Sequence, residues 1–227
     1  MYKVVSFDIY SASLDINGSA IPIVEEVLQL PKETCADFFK TWRAQQWNFL
    51  LLNNSMNKEF FTYNYITSRV LEYTEKKFEI SLTDDQREKL MKIWTTFKAW
   101  PEAKKVIDEI KSRGYKVVML SNGDKDMLDP LQNSTGIDFD DIFSGDQANC
   151  YKPNPLIYRN ALEKLGIEKD ELLHVAGSLF DVMGARADGF HCAWSNRLGE
   201  FVLDQDFAPN YELKNLSELL NILPECN

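Results

Sequence analysis

The hydrophobic pattern of the chain changes character twice along its 227 residues. An apolar strand is predicted at residues 2–8. Residues 17–97 then carry apolar positions at helical spacing, many of them aromatic, and no segment alternates as a strand would. One predicted helix of this stretch begins at Pro22, and a longer one runs from Thr34 to about Asn53. Another follows a capping box of Thr83 and Gln86.

From Trp100 onward, helical and strand patterns alternate, which is typical of a parallel sheet covered on both faces. We therefore predict an α/β fold: a Rossmann-like, doubly wound parallel sheet core of residues 1–15 and 99–227, with an all-α helical cap domain inserted at residues 16–98. The predicted helices of the core are 101–113, 125–133, 155–165 and 182–188, and its later strands are 116–120, 142–144, 172–176 and 191–194.

Charge and composition exclude several classes of protein. The net charge of −10 and pI near 4.8 argue against binding to nucleic acid or to acidic membranes. No apolar run approaches the roughly 20 residues that span a bilayer, and the N-terminus is typical of a strand, so we expect a cytoplasmic protein. The cysteines are scattered without metal-ligand spacing, which argues against a zinc site or a disulfide framework. They are Cys35, Cys150, Cys192 and Cys226.

Polar side chains follow four of the predicted strands. Asp8 ends the first strand, and Ser121 and Asn122 follow the next one. Lys152 precedes a helix, and Asp181 lies in the loop after a later strand. Each alone is typical of a helix cap or a solvated side chain. Because the carboxyl ends of parallel strands meet at one edge of the sheet, their order on successive βα units predicts a shared pocket.

These motifs resemble the haloacid dehalogenase superfamily and, within it, the type II L-2-haloacid dehalogenases. The first motif of that family, D-x-Y-G-T-L-x-D, matches Asp8-Ile9-Tyr10-Ser11-Ala12-Ser13-Leu14-Asp15. The resemblance spans nearly the whole chain, and continues in Trp42-Arg43-Ala44-Gln45-Gln46, Leu120-Ser121-Asn122-Gly123, Tyr151-Lys152-Pro153, Tyr158, Phe180-Asp181, Gly184-Ala185, Gly189-Phe190 and Trp194-Ser195-Asn196-Arg197.

The resemblance implies hydrolytic dehalogenation of short 2-haloacids to 2-hydroxyacids, with no metal or cofactor. Asp8 would displace the halide and form an ester, whose carbonyl is then attacked by water. Asp181 would activate that water, and Lys152 would hold Asp8 and Asp181 ionised. Tyr158 corresponds to an active-site tyrosine of the family.

The same resemblance assigns the binding residues. Arg43, Asn122 and Phe180 would hold the halide, and Ser121 with backbone N–H groups would hold the substrate carboxylate. Tyr10 and Trp47 are expected to complete the pocket.

The expected partners are the haloacid and the halide ion only. Trp47 lies one helical turn after Arg43, so a cramped pocket favouring haloacetates, including fluoroacetate, is expected. Relatives are commonly homodimers packed through cap helices, and we expect the same of this chain.

The chain departs from the family at the first and last motifs. Ser11-Ala12 stands in place of Gly-Thr, and Ser178 stands in place of the asparagine of S-S-N-x-x-D. The Ser178 hydroxyl could still reach a water.

A magnesium phosphatase of the superfamily would have acids at the positions of Tyr10 and Gly177, so phosphatase activity with altered metal ligands is the alternative. A non-catalytic binding protein is the third hypothesis. The histidines, expected to be structural, are His174 and His191.

Overall fold

A computed structural model describes residues 1–56 and 59–225. Its strands are β1 (Val4–Phe7), β2 (Lys116–Leu120), β3 (Asp141–Phe143), β4 (Leu172–Ala176), β5 (His191–Ser195) and β6 (Tyr211–Leu213). Within the described residues these six form one parallel sheet, in the order β3-β2-β1-β4-β5-β6. The α/β fold with a doubly wound parallel sheet is therefore confirmed. Strand β6 was not predicted: it has three residues, of which Leu213 alone is buried, so it lacks the apolar run that marked the equally short β3.

Helices cover both faces of this sheet and fill the chain between β1 and β2. Between the two strands lie α1 (Ile16–Leu28), α2 (Lys32–Ser55), α3 (Tyr63–Lys77), α4 (Asp84–Lys92) and α5 (Ala103–Ser112). The later helices are α6 (Lys125–Thr135), α7 (Gly145–Ala148), α8 (Pro155–Leu165) and α9 (Leu179–Ala187). A single π-helical turn, Ile9–Ser13, follows β1.

Local sequence signals explain where several helices begin and end. The capping box before α4 is present, because the Gln86 N–H donates to the Thr83 hydroxyl and the Thr83 N–H donates to the Gln86 side chain. Gly166 ends α8 with a positive φ of 64°. Helix α9 begins three residues before the predicted start at Val182, since Ser178 caps it by accepting from the Asp181 N–H at 3.3 Å.

The chain crosses between the sheet and the inserted helices at one place. Leu14 and Ala99 form an isolated antiparallel bridge there. The Asp15 N–H donates to the Lys98 carbonyl at 2.9 Å, and the Trp100 N–H donates to the Ser13 carbonyl at 3.0 Å. These contacts coincide with the predicted junctions at residues 15–16 and 98–99, and we retain the division into core and cap as a proposal.

Buried polar contacts join the inserted helices to the sheet. Asp124, 5% exposed, precedes α6 but accepts from the N–H groups of Tyr63 and Asn64, at 2.9 and 2.8 Å, in the first turn of α3. Asn54 of α2 and Tyr151 are joined by two reciprocal hydrogen bonds, at 2.7 and 2.9 Å. The loop that carries Lys152 is therefore anchored by a helix of the insertion.

The structure describes two features that the composition also addressed, the membrane-spanning potential of the helices and the state of the cysteines. No helix in residues 1–56 and 59–225 is long and apolar enough to cross a membrane. Cys35, Cys150 and Cys192 are buried and free, whereas Cys226 lies outside the described residues.

Replacement of Asp124 by alanine should destabilise the protein. Because Asp124→Ala leaves two N–H groups at the start of α3 without their acceptor, we expect the free energy of unfolding to fall by about 1–2 kcal/mol. Urea denaturation would measure this loss. Asp126→Ala, at an exposed position of the same helix, is the control and should change stability by less than about 0.5 kcal/mol. Equal effects of the two substitutions would contradict the assignment of Asp124 as a cap of α3.

Candidate active site

A buried cluster of charges lies at the carboxyl end of the sheet. The Lys152 ammonium donates to Asp8 Oδ1 at 3.2 Å and to Asp181 Oδ2 at 2.9 Å. The three residues are 7% exposed or less. The structure thus brings together three predicted residues that lie far apart in the sequence.

Asp8 is held by the π-helical turn that follows β1. Its Oδ2 accepts from the Ser11 N–H at 2.9 Å, and its backbone carbonyl accepts from the Ser13 hydroxyl at 3.1 Å. Its own N–H donates to the Val175 carbonyl of β4 at 2.9 Å. The turn therefore supplies a main-chain donor to the Asp8 carboxylate.

Asp181 accepts from three side chains. Besides Lys152, the Tyr158 hydroxyl donates to Oδ1 at 2.7 Å, and His174 Nε2 lies 3.0 Å from Oδ2. Burial alone would raise the pKa of Asp181, but His174 and Lys152 outweigh it and hold that pKa well below the usual range. Burial would lower the pKa of Lys152, but the two carboxylates raise it above the usual value. Both carboxylate and ammonium therefore carry charge at neutral pH.

Tyr158 and His174 complete the surroundings of Asp181. Burial, followed by the charge of Asp181, raises the pKa of Tyr158 well above the usual value, so its hydroxyl remains a donor. Sequence reasoning missed the contact of His174 and treated this residue as structural. The one available signal was a histidine inside an otherwise apolar strand, seven residues before Asp181.

The residue at position 177 has no room for a side chain. A Cβ on Gly177 would lie 2.1 Å from the Ser11 carbonyl carbon and 2.2 Å from the Ala12 nitrogen. The π-helical turn therefore excludes an acid at this position on steric grounds.

The residues present do not fit a magnesium ion, which prefers an octahedral set of oxygens. Tyr10 is 2% exposed, and its hydroxyl donates to the Trp94 carbonyl at 3.2 Å. The two carboxylates of the cluster already share the ammonium of Lys152. Among residues 1–56 and 59–225, no group of three or more histidines, cysteines or acids is arranged to hold a metal.

Asn122 and Ser121 lie directly after β2, buried beside this cluster. Asn122 Oδ1 accepts from the Lys152 N–H at 2.7 Å, which links the two loops. The Ser121 hydroxyl accepts from the Gly123 N–H at 3.1 Å. In the described part of the chain the amide nitrogen of Asn122 has no hydrogen-bond partner, so it is available to donate to a ligand.

Arg43 is a cation without a carboxylate partner anywhere in the described part of the chain. Its guanidinium lies 5.4 Å from the ring centroids of both Trp47 and Trp94. It donates to Gln46 Oε1 at 2.6 Å and to the Tyr63 hydroxyl at 3.1 Å. These neighbours are neutral, so they orient the guanidinium without cancelling its charge.

Two stacked tyrosines link Arg43 to the turn that follows β1. Tyr10 and Tyr63 stack with their ring centroids 5.4 Å apart. Burial raises the pKa of Tyr63 to about 12, with the charge of Arg43 opposing this shift and that of Asp8 adding to it. Arg43 donates to the hydroxyl of Tyr63, and Tyr10 belongs to the π-helical turn that Asp8 caps, so the stacked rings join the cation to this turn.

The side chains of Trp47 and Phe180 contact each other through their rings. Their ring centroids are 5.6 Å apart, and the two rings come from α2 and the first turn of α9. Phe180 is 43% exposed. Ser178, by contrast, lies at the start of α9 and caps it.

Comparison with known proteins gives a consistent result. The model of the haloacid dehalogenase-like hydrolase family matches residues 2–189. The chain is 27% identical over 220 residues to the (S)-2-haloacid dehalogenase 4A of Burkholderia cepacia, covering 96% of this chain and 93% of that protein. It is 27% identical over 224 residues to the haloacetate dehalogenase H-2 of Moraxella sp. (strain B), covering 97% of each. The solved L-2-haloacid dehalogenase RSc1362 superposes with a TM-score of 0.91 at 25% identity, covering 98% of each chain.

The low pKa of Asp181 predicts how stability depends on pH. A carboxyl whose pKa is lower in the folded than in the unfolded state stabilises the fold fully above its unfolded pKa of about 3.9, and this contribution is lost as the pH falls towards the folded pKa. The difference in free energy of unfolding between the natural protein and Asp181→Asn should therefore shrink as the pH falls from about 5 to 2.

Urea denaturation across this pH range would measure the difference. Asp206→Asn, at an exposed position, is the control, and its effect should hardly vary with pH. A difference for Asp181→Asn that grows on acidification would contradict the assignment.

Proposed function

Because the chain belongs to the haloacid dehalogenase-like hydrolase family, we propose that it hydrolyses the carbon–halogen bond of short 2-haloacids with Asp8 as the nucleophile. The names of the similar dehalogenases support this substrate class. The observation that carries the proposal is the cation of Arg43, which has no carboxylate partner in the described part of the chain and is linked through Tyr63 and Tyr10 to the turn that begins at Asp8. A carboxylate nucleophile and a free cation are what the displacement of an anion from carbon requires.

In the first step, an Asp8 carboxylate oxygen attacks the carbon that bears the halogen. A carbon–oxygen bond forms as the carbon–halogen bond breaks, which gives an ester on Asp8 and a halide ion. Arg43, the amide of Asn122 and the ring edge of Phe180 would stabilise the departing halide. Ser121 and backbone N–H groups would hold the substrate carboxylate.

In the second step, water attacks the ester carbonyl of Asp8. Asp181 would accept the proton of that water, while Lys152 and Tyr158 hold Asp181 in place. The bond between the Asp8 carbonyl carbon and the ester oxygen breaks, and that oxygen takes the proton held by Asp181, so the 2-hydroxyacid leaves with a single inversion at its carbon. The regenerated carboxyl of Asp8 releases its proton to solvent and returns to the carboxylate. Ser178 would bind the water through its hydroxyl.

Substrate size is the finer part of the proposal. The contact between the Trp47 and Phe180 rings supports a narrow pocket, which we propose is completed by Tyr10. We propose that haloacetates, including fluoroacetate, are the preferred substrates.

We also propose that the protein is a cytoplasmic homodimer whose ligands are the haloacid and the halide. Exposed apolar side chains on α2 and α3, including Leu52 and Tyr73, support packing through these helices.

Replacement of the nucleophile should abolish turnover. We expect Asp8→Asn to lower halide release from chloroacetate by about a thousandfold or more, since the amide cannot form the ester. An ion-selective electrode would measure chloride with EDTA present. Asp37→Asn, at an exposed position of α2, should retain the natural rate. Hydrolysis of p-nitrophenyl phosphate that requires magnesium, with no halide release in EDTA, would instead favour the phosphatase alternative.

Enlarging the pocket should change its preference for chain length. Trp47→Leu removes the ring that contacts Phe180, so we expect the rate with 2-chlorobutyrate relative to chloroacetate to rise about tenfold. Phe49→Leu, whose ring contacts Phe61 instead, is the control and should leave this ratio unchanged. If the natural protein turned over 2-halobutyrates faster than haloacetates, the narrow pocket would be wrong.

A further inference from the structure

His174 is a fully buried histidine that the mechanism above does not use. It lies in β4, whose alternation places it on the same face as Leu172 and Ala176, and these belong to a buried apolar cluster with residues of α8 and α9. An imidazole costs free energy in such surroundings unless its nitrogens are hydrogen-bonded. Its presence therefore calls for an account of what each nitrogen contacts.

Both ring nitrogens of His174 have a polar partner. Nδ1 lies 2.9 Å from the Ser6 hydroxyl, and Nε2 lies 3.0 Å from Asp181 Oδ2. Ser6 and His174 are register partners on the adjacent strands β1 and β4, so the sheet itself sets the first contact. The Tyr158 ring stands nearly edge-on to the imidazole, with centroids 5.6 Å apart. The imidazole is thus held in a fixed direction that presents Nε2 to Asp181.

The charges around His174 explain why Asp181 needs this contact. Lys152 must divide one ammonium between Asp8 and Asp181. The other titratable groups facing the imidazole are Tyr158, which remains protonated, and the buried Cys192 on β5, whose pKa is raised by burial. Within the residues that the structure describes, His174 and Tyr158 are the side chains that join Lys152 in contacting a carboxylate that is 1% exposed, and His174 shares the oxygen Oδ2 with Lys152.

The contact reaches only one of the two carboxylates. Among the described residues, the hydrogen-bond donors to the Asp8 carboxylate are Lys152 and the Ser11 N–H. In the described part of the chain, no hydrogen bond joins His174 to Asp8. Any effect of His174 on the reaction should therefore fall on the step that uses Asp181.

We propose that His174 is a positioning residue of the hydrolytic step, which holds the Asp181 carboxylate in the orientation from which it accepts the proton of the attacking water. The inference rests on the proposed dehalogenation. Ser6 contacts the other ring nitrogen, Nδ1, and so helps to hold the imidazole in this orientation. Ala176, at the end of β4, and Gly177 after it offer no polar side chain for this purpose.

The two ring nitrogens can be imitated separately. The amide of His174→Gln reaches about as far as Nε2 and can donate to Asp181, whereas that of His174→Asn reaches about as far as Nδ1 and can contact only Ser6. Both variants are polar and similar in size, so they form a matched pair. His191→Gln is the control, because His191 contacts the Tyr2 hydroxyl on another part of the sheet.

The experiment separates the two steps. Enzyme in excess is mixed with bromoacetate and quenched at intervals, bromide is measured for the first step, and intact mass reports the ester on the protein for the second. We expect His174→Asn to release its single equivalent of bromide within about threefold of the natural rate, and to hydrolyse the ester at least about tenfold more slowly, so that the ester accumulates. His174→Gln should restore hydrolysis to within about threefold, and His191→Gln should behave as the natural protein.

Three results would overturn the proposal. The first is hydrolysis of the ester at equal rates in His174→Asn and His174→Gln. The second is a slowing of both steps by the same factor in His174→Asn, as a general loss of structure would cause. The third is equal inactivity of the two variants through misfolding, seen in thermal denaturation, which would assign His174 to stability alone. Failure of the proposed function is distinguishable from all of these, because the natural protein itself would then release no bromide and form no ester.

Discussion

The ammonium of Lys152, shared between Asp8 and Asp181, is the interaction on which the rest of the site depends. A buried charge is costly unless it is paired, and removal of one partner of such a pair typically costs about 3–5 kcal/mol. The three side chains come from the turn after β1, the loop before α8 and the first turn of α9, at the carboxyl end of the sheet. Their pairing therefore constrains these three segments at once, and the rest of the structure can be understood as the means of holding them.

The loop that carries Lys152 shows how many elements this requires. The backbone N–H of Lys152 donates to Asn122 after β2. The preceding residue, Tyr151, is hydrogen-bonded to Asn54 of α2. On the other side, a Cβ at Gly184 of α9 would lie 2.4 Å from Pro153 Cβ, so only glycine permits this approach. The lysine is thus positioned from the sheet, from α9 and from the inserted helices together, which couples the insertion to the chemistry of the core.

Much of this arrangement could be predicted from local sequence signals, and the remainder depends on contacts between distant residues. Strand-end positions share one edge of a parallel sheet, so the order of the motifs alone was enough to group Asp8, Lys152 and Asp181. The partner of His174 could not be predicted, because strand periodicity indicates which face a residue occupies but not what it meets there. The π-helical turn was also hidden, since its conformation depends on the close approach of Gly177 to Ser11 rather than on a local pattern.

Electrostatics also explains why aromatic side chains, and not acids, surround Arg43 in the inserted helices. The protein carries a net charge of −10, so an anionic substrate is repelled by the molecule as a whole and needs local positive charge. A carboxylate beside Arg43 would hold that arginine firmly but would cancel the charge that the substrate needs. The faces of Trp47 and Trp94 attract the guanidinium through their ring quadrupoles and add no negative charge of their own. Aromatic packing therefore lets the insertion present a cation that is fixed in place and still free to bind an anion.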